Sequence, residues 1–445
     1  MNPRRQSSIA ASKAAELLGR MTLIEKIAQL NSCWIQELQT DGHFHPQKIR
    51  ARLGQGIGQI TRLSGGTTLD PQAAAKMANT IQHQLVEHTR LGIPAIFHEE
   101  CCAGSMTLGA TAYPQMLGLA SSFEPQLAER MTAEIRRQLR ALGAHQGLAP
   151  VLDVARDPRW GRVEETFGED PLLVSQFGVH YIRGLQSDDL RQGVMATGKH
   201  FVGHSLSQGG LNCAPVQLGW RTLWEVYLMP FQAAIREAGL ASMMNAYPEL
   251  DGEVVAASRR ILTDLLRGKL GFDGVVVSDY EAVMMIHSYH HMAPDLQSAA
   301  ALGLRAGIDV ELPTAQCYND SLVGLVESGK IPLEWVDQAV QRHLQMKFEL
   351  GLFDNPYVPE EGVLDVFETA EQRALALEIA RKSLVLLSNQ GVLPLAKTVK
   401  SLAVIGPNAD DPAICWGTIP TRRWWTCWTS RNPLIRPLRS WTAPH

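Results

Sequence analysis

Residues 271–283 read GFDGVVVSDYEAV. A glycine-bounded run of three β-branched residues, Val275–Val277, ends in Ser278 and Asp279, and a helix-like segment follows from Glu281. A short, continuously apolar run of this kind predicts a strand buried on both faces, with its polar residue at the C-terminal end.

The same grammar recurs outward in both directions. GIGQI (56–60), IPAIF (93–97), GLAPVLDV (147–154), VMATGKHFVGH (194–204), LASMMNAY (240–247) and AGIDVEL (306–312) read as further strands. Helical patterns separate most of them, at 71–90, Glu124–Leu142, Leu228–Ala238, Ser258–Leu270 and Pro294–Leu304. Seven strand candidates with an eighth unassigned, alternating with helices, predict an α/β fold with a parallel sheet. The polar residues fall at many strand ends: His98-Glu99-Glu100, Asp153, Lys199-His200, Asn245 with Tyr247, and Asp279. Convergence from several strands suits a (β/α)8 TIM-like barrel over residues 1–354. The competing fold is a Rossmann-like sheet, but no Gly-x-Gly-x-x-Gly opens a helix after the first strand.

Composition narrows the class. The chain has 445 residues, 45% hydrophobic and 19% charged, which is an ordinary globular balance. Lys and Arg number 41 against 45 Asp and Glu, a net charge of −4 that speaks against a nucleic-acid or polybasic membrane-surface protein. No run of eighteen apolar residues occurs, so no membrane-spanning helix is expected. Lys13, Glu16, Arg20, Glu25 and Lys26 break up the apolar core that a secretory leader would need. Seven scattered cysteines, an odd count, suit a reducing compartment, so a cytoplasmic location is expected. No Cys-x-x-Cys is present, and neither a metal nor a cofactor is expected.

The C-terminal part reads differently. LGLFDNPYV (350–358) carries turn signals, and residues 355–383 read as a linker and a helix near Glu371–Arg381. SLVLLSN (383–389) and SLAVIGPNA (401–409) read as two strands, the start of an α/β sandwich domain over 384–413, too short to bury a core alone. Residues 414–445 hold five of the ten tryptophans and five arginines without one acid, and show no helical or strand period. They read as an out-of-frame tail, with a basic aromatic interaction tail as the alternative.

APVLDVARDPRWGRVEETFGEDP (149–171), KHFVGH (199–204), NAYPELDG (245–252) and GFDGVVVSDYEAV (271–283) together resemble glycoside hydrolase family 3, over roughly residues 10–410. The resemblance implies a barrel followed by an α/β sandwich. It also implies a retaining β-glycoside hydrolase that releases a terminal β-D-glucosyl or xylosyl residue through a glycosyl-aspartate. A small oligosaccharide or an aryl β-glycoside is the expected partner, without nucleic acid or membrane and with the oligomeric state open.

Retention needs two carboxyl groups about 5 Å apart, one attacking the anomeric carbon and one protonating the leaving oxygen. The resemblance makes Asp279 the nucleophile; its other reading is a cap for the following helix. It implies sugar-hydroxyl contacts from Lys199 and His200, whose neighbouring side chains reach one site only if the strand breaks there. A surface lysine beside a packed histidine is the alternative. It implies a fork of hydrogen bonds from Arg156 and sugar contact through Glu100, where the family usually has an aspartate, with Glu99 as the competitor. Tyr247 is expected near the nucleophile, or else as a half-buried barrel aromatic. Arg159, Trp160, Arg162, Glu165, Glu169 and Asp170 read mostly as an ion-pair and turn network.

The general acid/base is expected to be absent from this chain, because in two-domain relatives it is a glutamate of the second domain. The hexosaminidase branch of the family uses a loop histidine paired with an aspartate. The loop SLSQGGLNCAPV (205–216) has neither, which disfavours that branch. A sugar-binding pseudo-enzyme stays open beside the hydrolase. A phosphate-handling barrel enzyme is disfavoured because 312–321 lacks a glycine-rich loop.

Overall fold

The computed structural model describes residues 7–40, 43–406 and 409. Seven strands form one sheet in chain order: β1 (Ser32–Trp34), β2 (Gln59–Thr61), β3 (Ile96–Glu99), β4 (Gln146–Gly147), β5 (Met195–Phe201), β6 (Ser242–Asn245) and β7 (Val275–Val277). Every neighbouring pair is parallel. The AGIDVEL segment supplies the eighth position through a single parallel bridge between Val310 and Val277.

Main-chain bonds then close the sheet into a ring. The Glu311 amide donates to the Leu30 carbonyl (2.9 Å), and the Ala315 amide donates to the Ser32 carbonyl (3.1 Å). The Ser32 hydroxyl adds a bond to the Glu311 carbonyl (2.7 Å). The barrel is thus closed as expected. The strand missed in the sequence is β1, only three residues long and preceded by polar Asn31.

Alternation along the strands sorts side chains to two cores. Val275 and Val277 join Ile96, Leu148, Met195, Met244 and Val310 inside the barrel. Val276, Met243 and Ala196 face the surrounding helices. The helices run Pro71–His88, Pro125–Ala141, Met229–Ala238, Arg260–Lys269 and Leu296–Ala306, within a few residues of their predicted bounds. Asp70 and Asp170 cap helices that begin with proline, each accepting a main-chain N–H three residues on at 2.8 Å.

The helix Ala370–Lys382 packs on Pro125–Ala141. It buries Ile379 and pairs Glu378 with Arg130 (2.9 Å) and Lys382 with Glu124 (2.6 Å). The strands expected at 383–389 and 401–409 do not form among the described residues. Leu387 and Ile405 are each 91% exposed. A strand needs an edge to pair with, and no sheet of the described residues offers one here. The tail reading of 414–445 falls outside the described residues.

Candidate active site

Strand parity explains which side chains reach the barrel mouth. On β7 the inward set Val275 and Val277 continues to Asp279, two residues on. On β3 the inward residue Ile96 continues to His98 and then Glu100, while Glu99 points away. Glu99 is spent on the neighbouring loop, accepting from the Ser64 amide (2.6 Å), the Ser64 hydroxyl (2.8 Å) and the Gly65 amide. Glu100 instead accepts from Lys199 Nζ at 3.0 Å. Of the two glutamates, Glu100 is the one paired with Lys199.

Lys199 is inward by parity with Met195, and on regular backbone His200 would then turn outward. The register of β5 shifts between Gly198 and Phe201, so regular alternation does not hold at Lys199 and His200. The Lys199–His200 peptide is cis. His200 is fully buried. Its main-chain N–H (2.9 Å) and ring Nδ1 (2.8 Å) both meet Asp153 Oδ2. Two donors on one oxygen put the ring proton on Nδ1, so Nε2 carries a lone pair. That Nε2 lies 3.8 Å from Asp279 Oδ2.

Asp279 is 7% exposed. Its main-chain N–H donates to Asn245 Oδ1 (3.2 Å), and its Oδ1 accepts from the Tyr280 amide (2.8 Å). Its other oxygen, Oδ2, is buried and has no partner among the described residues. A buried acceptor left bare costs roughly 1–3 kcal/mol. Burial pushes the carboxyl up to about 6, against the pull of Arg162, Lys199, the Tyr280 amide and the Tyr247 phenol. Tyr247 gives its one O–H to the Tyr280 carbonyl (3.0 Å), with the Asp279 carboxylate as its alternative acceptor.

Lys199 shows the opposite balance. Burial, the largest influence, favours its neutral form, but the Glu100 carboxylate with Cys102 and Glu165 beside it together outweigh burial and hold Lys199 above the ordinary lysine value. His200 stays neutral, pushed well down by burial and by the cations Arg162 and Lys199.

Arg156 is exposed on the loop after β4, and its Nε donates to the Glu169 carbonyl (3.3 Å). The arginine of the cluster is Arg162, six residues on. It is clamped to Glu165 by two bonds (3.0 and 2.9 Å) and acts on the charge of Asp279, His200 and Lys199. The loop turns back after Trp160, which is buried, and so carries Arg162 inward and leaves Arg156 in solvent. Both arginines sit in one motif, and spacing alone does not separate them.

Two further residues were missed. His204 packs edge-on to His200 with ring centroids 4.6 Å apart, and Tyr280 sets its O–H 3.3 Å from His98 Nε2 with its ring against Trp34. The legible signal was His-x-x-x-His at 200 and 204, and an aromatic residue directly after Asp279.

Comparison with known proteins gives the family. The model of the glycosyl hydrolase family 3 N terminal domain matches residues 22–346. A beta-xylosidase of Formosa agariphila is 38% identical over 379 residues, covering 79% of this chain and 52% of the relative. A periplasmic beta-glucosidase of Salmonella typhimurium is 34% identical, covering 89% and 50%. Among solved structures, a β-glucosidase from Erythrobacter marinus superposes with a TM-score of 0.82 at 36% identity, covering 88% of this chain and 52% of that one. A Listeria innocua beta-glucosidase solved with laminaribiose gives 0.78 at 32%, covering 87% and 53%. The chain spans about half the length of the curated relatives it matches. With its barrel, its ordered motifs and a family match across most of its length, this chain belongs to glycosyl hydrolase family 3.

Proposed function

We propose that this chain carries the nucleophile half of a retaining β-glycosidase acting on terminal β-D-glucosyl or β-D-xylosyl residues. The observation that carries the reading is the bare, buried Oδ2 of Asp279 at the barrel mouth. In this mechanism Asp279 Oδ2 attacks the anomeric carbon, the bond to the leaving oxygen breaks, and a glycosyl-aspartate forms. Arg162 and Lys199 favour the ionised carboxylate that the attack needs. Glu100 accepts from sugar hydroxyls and Lys199 donates to them, while the lone pair of His200 Nε2 accepts one more. Water then cleaves the ester with retention of configuration.

Protonation of the leaving oxygen is the missing part. Three buried carboxyl groups around Asp279 already hold partners: Glu100 with Lys199, Glu165 with Arg162, and Asp153 with His200. The proposed activity of these residues alone is therefore limited to glycosides whose leaving group departs without an acid.

A 2-deoxy-2-fluoro glucoside or xyloside with a good leaving group tests the assignment. Mass spectrometry of the digested protein should find the fluorosugar on the peptide holding Asp279. A label on any other carboxylate, or none after prolonged incubation, refutes it. A second reading, sugar binding without turnover, draws on the same lack of a free acid. Glucose binding by calorimetry with no covalent label would favour it. We also propose a cytoplasmic location, in line with the free thiols of Cys33, Cys101, Cys102, Cys213 and Cys317. Cell fractionation tests that.

A further inference from the structure

Arg62 follows directly on β2, at the mouth end of the strand, and it breaks the strand's alternation. Ile60 and Leu63 both pack in the outer core, although residues three apart on a regular strand face opposite ways. Arg62 takes up the difference with a left-handed backbone, φ 53°. That conformation is uncommon for a bulky side chain, and such residues cluster at functional sites. It is held from both sides. The Arg62 amide donates to the His98 carbonyl (2.9 Å), and the Gly66 amide donates to the Arg62 carbonyl (2.8 Å).

Arg62 is only 7% exposed. Its Nε is enclosed without a partner, and its side chain makes no hydrogen bond or ion pair among the described residues. A guanidinium carries five N–H donors, and here all five are unspent. The neighbouring carboxylate does not take them. Glu99 Oε2 and Arg62 Nε come within 2.7 and 3.3 Å of the point where a Gly65 side chain would begin. Glu99 nevertheless accepts from Ser64 and Gly65 instead.

The surroundings are those of the pocket. Burial dominates the titration of His98, held down at about 3, and of the Tyr280 phenol, held well up; the next influence on each is the charge of Arg62. The same phenol is within reach of the charges of Glu100 and Asp279. Trp34 packs edge-on against Tyr280, with ring centroids 5.6 Å apart, and stands in register with Thr61, the residue before Arg62. A negatively charged ligand here would meet Glu99 and Glu100 on the adjoining strand, whereas a neutral one with hydroxyl oxygens meets the free donors without that repulsion.

We propose that Arg62 is a sugar-binding residue of this pocket, its guanidinium fork donating to hydroxyl oxygens of a neutral glycoside beside Tyr280. The proposal rests on the hydrolase reading above and deepens it, because such a contact decides which hydroxyls a substrate must carry.

The test follows labelling of the full chain by dinitrophenyl 2-deoxy-2-fluoro-β-glucoside, and protection from the label by glucose and its 2-, 3-, 4- and 6-deoxy forms. The parent is compared with Arg62→Met and with Arg62→Met/Glu99→Gln. The half-protecting concentration of glucose should rise at least about tenfold in both variants, as when a charged hydrogen bond is lost. For the deoxy sugar that lacks the hydroxyl held by Arg62, parent and variants should agree within about twofold. No rise in the variants, an equal rise for every deoxy sugar, or a return to the parent value in the double variant overturns the proposal. The last result would make Arg62 a counter-charge for Glu99. A parent that takes no label fails the hydrolase reading, and calorimetric titration with the same sugars then makes the same comparison; a parent that also binds no glucose ends both. The double variant removes both charges together and serves if Arg62→Met alone fails a circular-dichroism check of folding. Should neither fold, a glucose-soaked crystal of the unsubstituted protein decides, by whether an Arg62 nitrogen lies within hydrogen-bond distance of a sugar hydroxyl.

Discussion

Replacing Asp279 by Asn should make the protein more stable while abolishing its proposed chemistry. The carboxyl titrates at about 6 in the folded chain, against an ordinary 3.8. Its folded value is raised, so folding takes up a proton between those limits. Below pH 3.8 the group is protonated in both states and costs nothing. As pH rises toward 6 the unfolded chain ionises first, and the folded state loses stability until the cost levels off above about pH 6. That interval corresponds to about 3 kcal/mol. An amide of the same shape has no charge to bury, and its oxygen still accepts from the Tyr280 amide. Asp279→Asn should therefore gain up to about 3 kcal/mol at pH 7.5, with the gain shrinking steadily toward pH 4. Urea unfolding followed by tryptophan fluorescence at pH 7.5, 6, 5 and 4 measures this. A variant less stable than the parent at pH 7.5, or a gain that does not change with pH, would refute the reasoning.

Four other outcomes follow from the same geometry. Labelling by the fluorosugar should fall about tenfold for each pH unit below about 6, because only ionised Asp279 attacks. Lys199→Met leaves Glu100 buried without its cation and should cost roughly 3–5 kcal/mol in denaturant unfolding, with most of it restored by adding Glu100→Gln. Arg162→Ala should slow labelling and destabilise the loop, whereas Arg156→Ala should leave both within error. Hydrolysis of an alkyl β-glucoside should fall behind that of an activated aryl glucoside by the roughly 10²–10⁴-fold that an acid catalyst contributes. Equal rates on both substrates would mean that some carboxyl group of this chain supplies the proton.

Most of the barrel was readable because its strands are continuous apolar runs and its helices keep a clear period. Val275–Val277 and Met229–Ala238 are legible on those grounds. β1 was not, because three residues leave no period to detect, and its place is fixed by pairing with β2 and by closure against Glu311. The site was legible wherever parity from a buried strand decided the direction of a side chain, as for Asp279 and Glu100. It was illegible where direction depends on how a loop folds back, as for Arg156 and Arg162. The two strands expected beyond residue 383 had the right composition, yet composition cannot supply the neighbouring strand that makes a segment extended and paired.

The ring closes at its first and last positions through a few bonds around Leu30, Ser32, Glu311 and Ala315, whereas β5 pairs five of its seven residues in ladders with its two neighbours. The seam is a thin stave joint of the cask. The Glu311 and Ala315 amides should therefore be among the first ring amides to exchange with heavy water. A loosened seam would let the wall carrying Asp279 swing away from the wall carrying Glu100, widening the opening without altering a single group of the pocket.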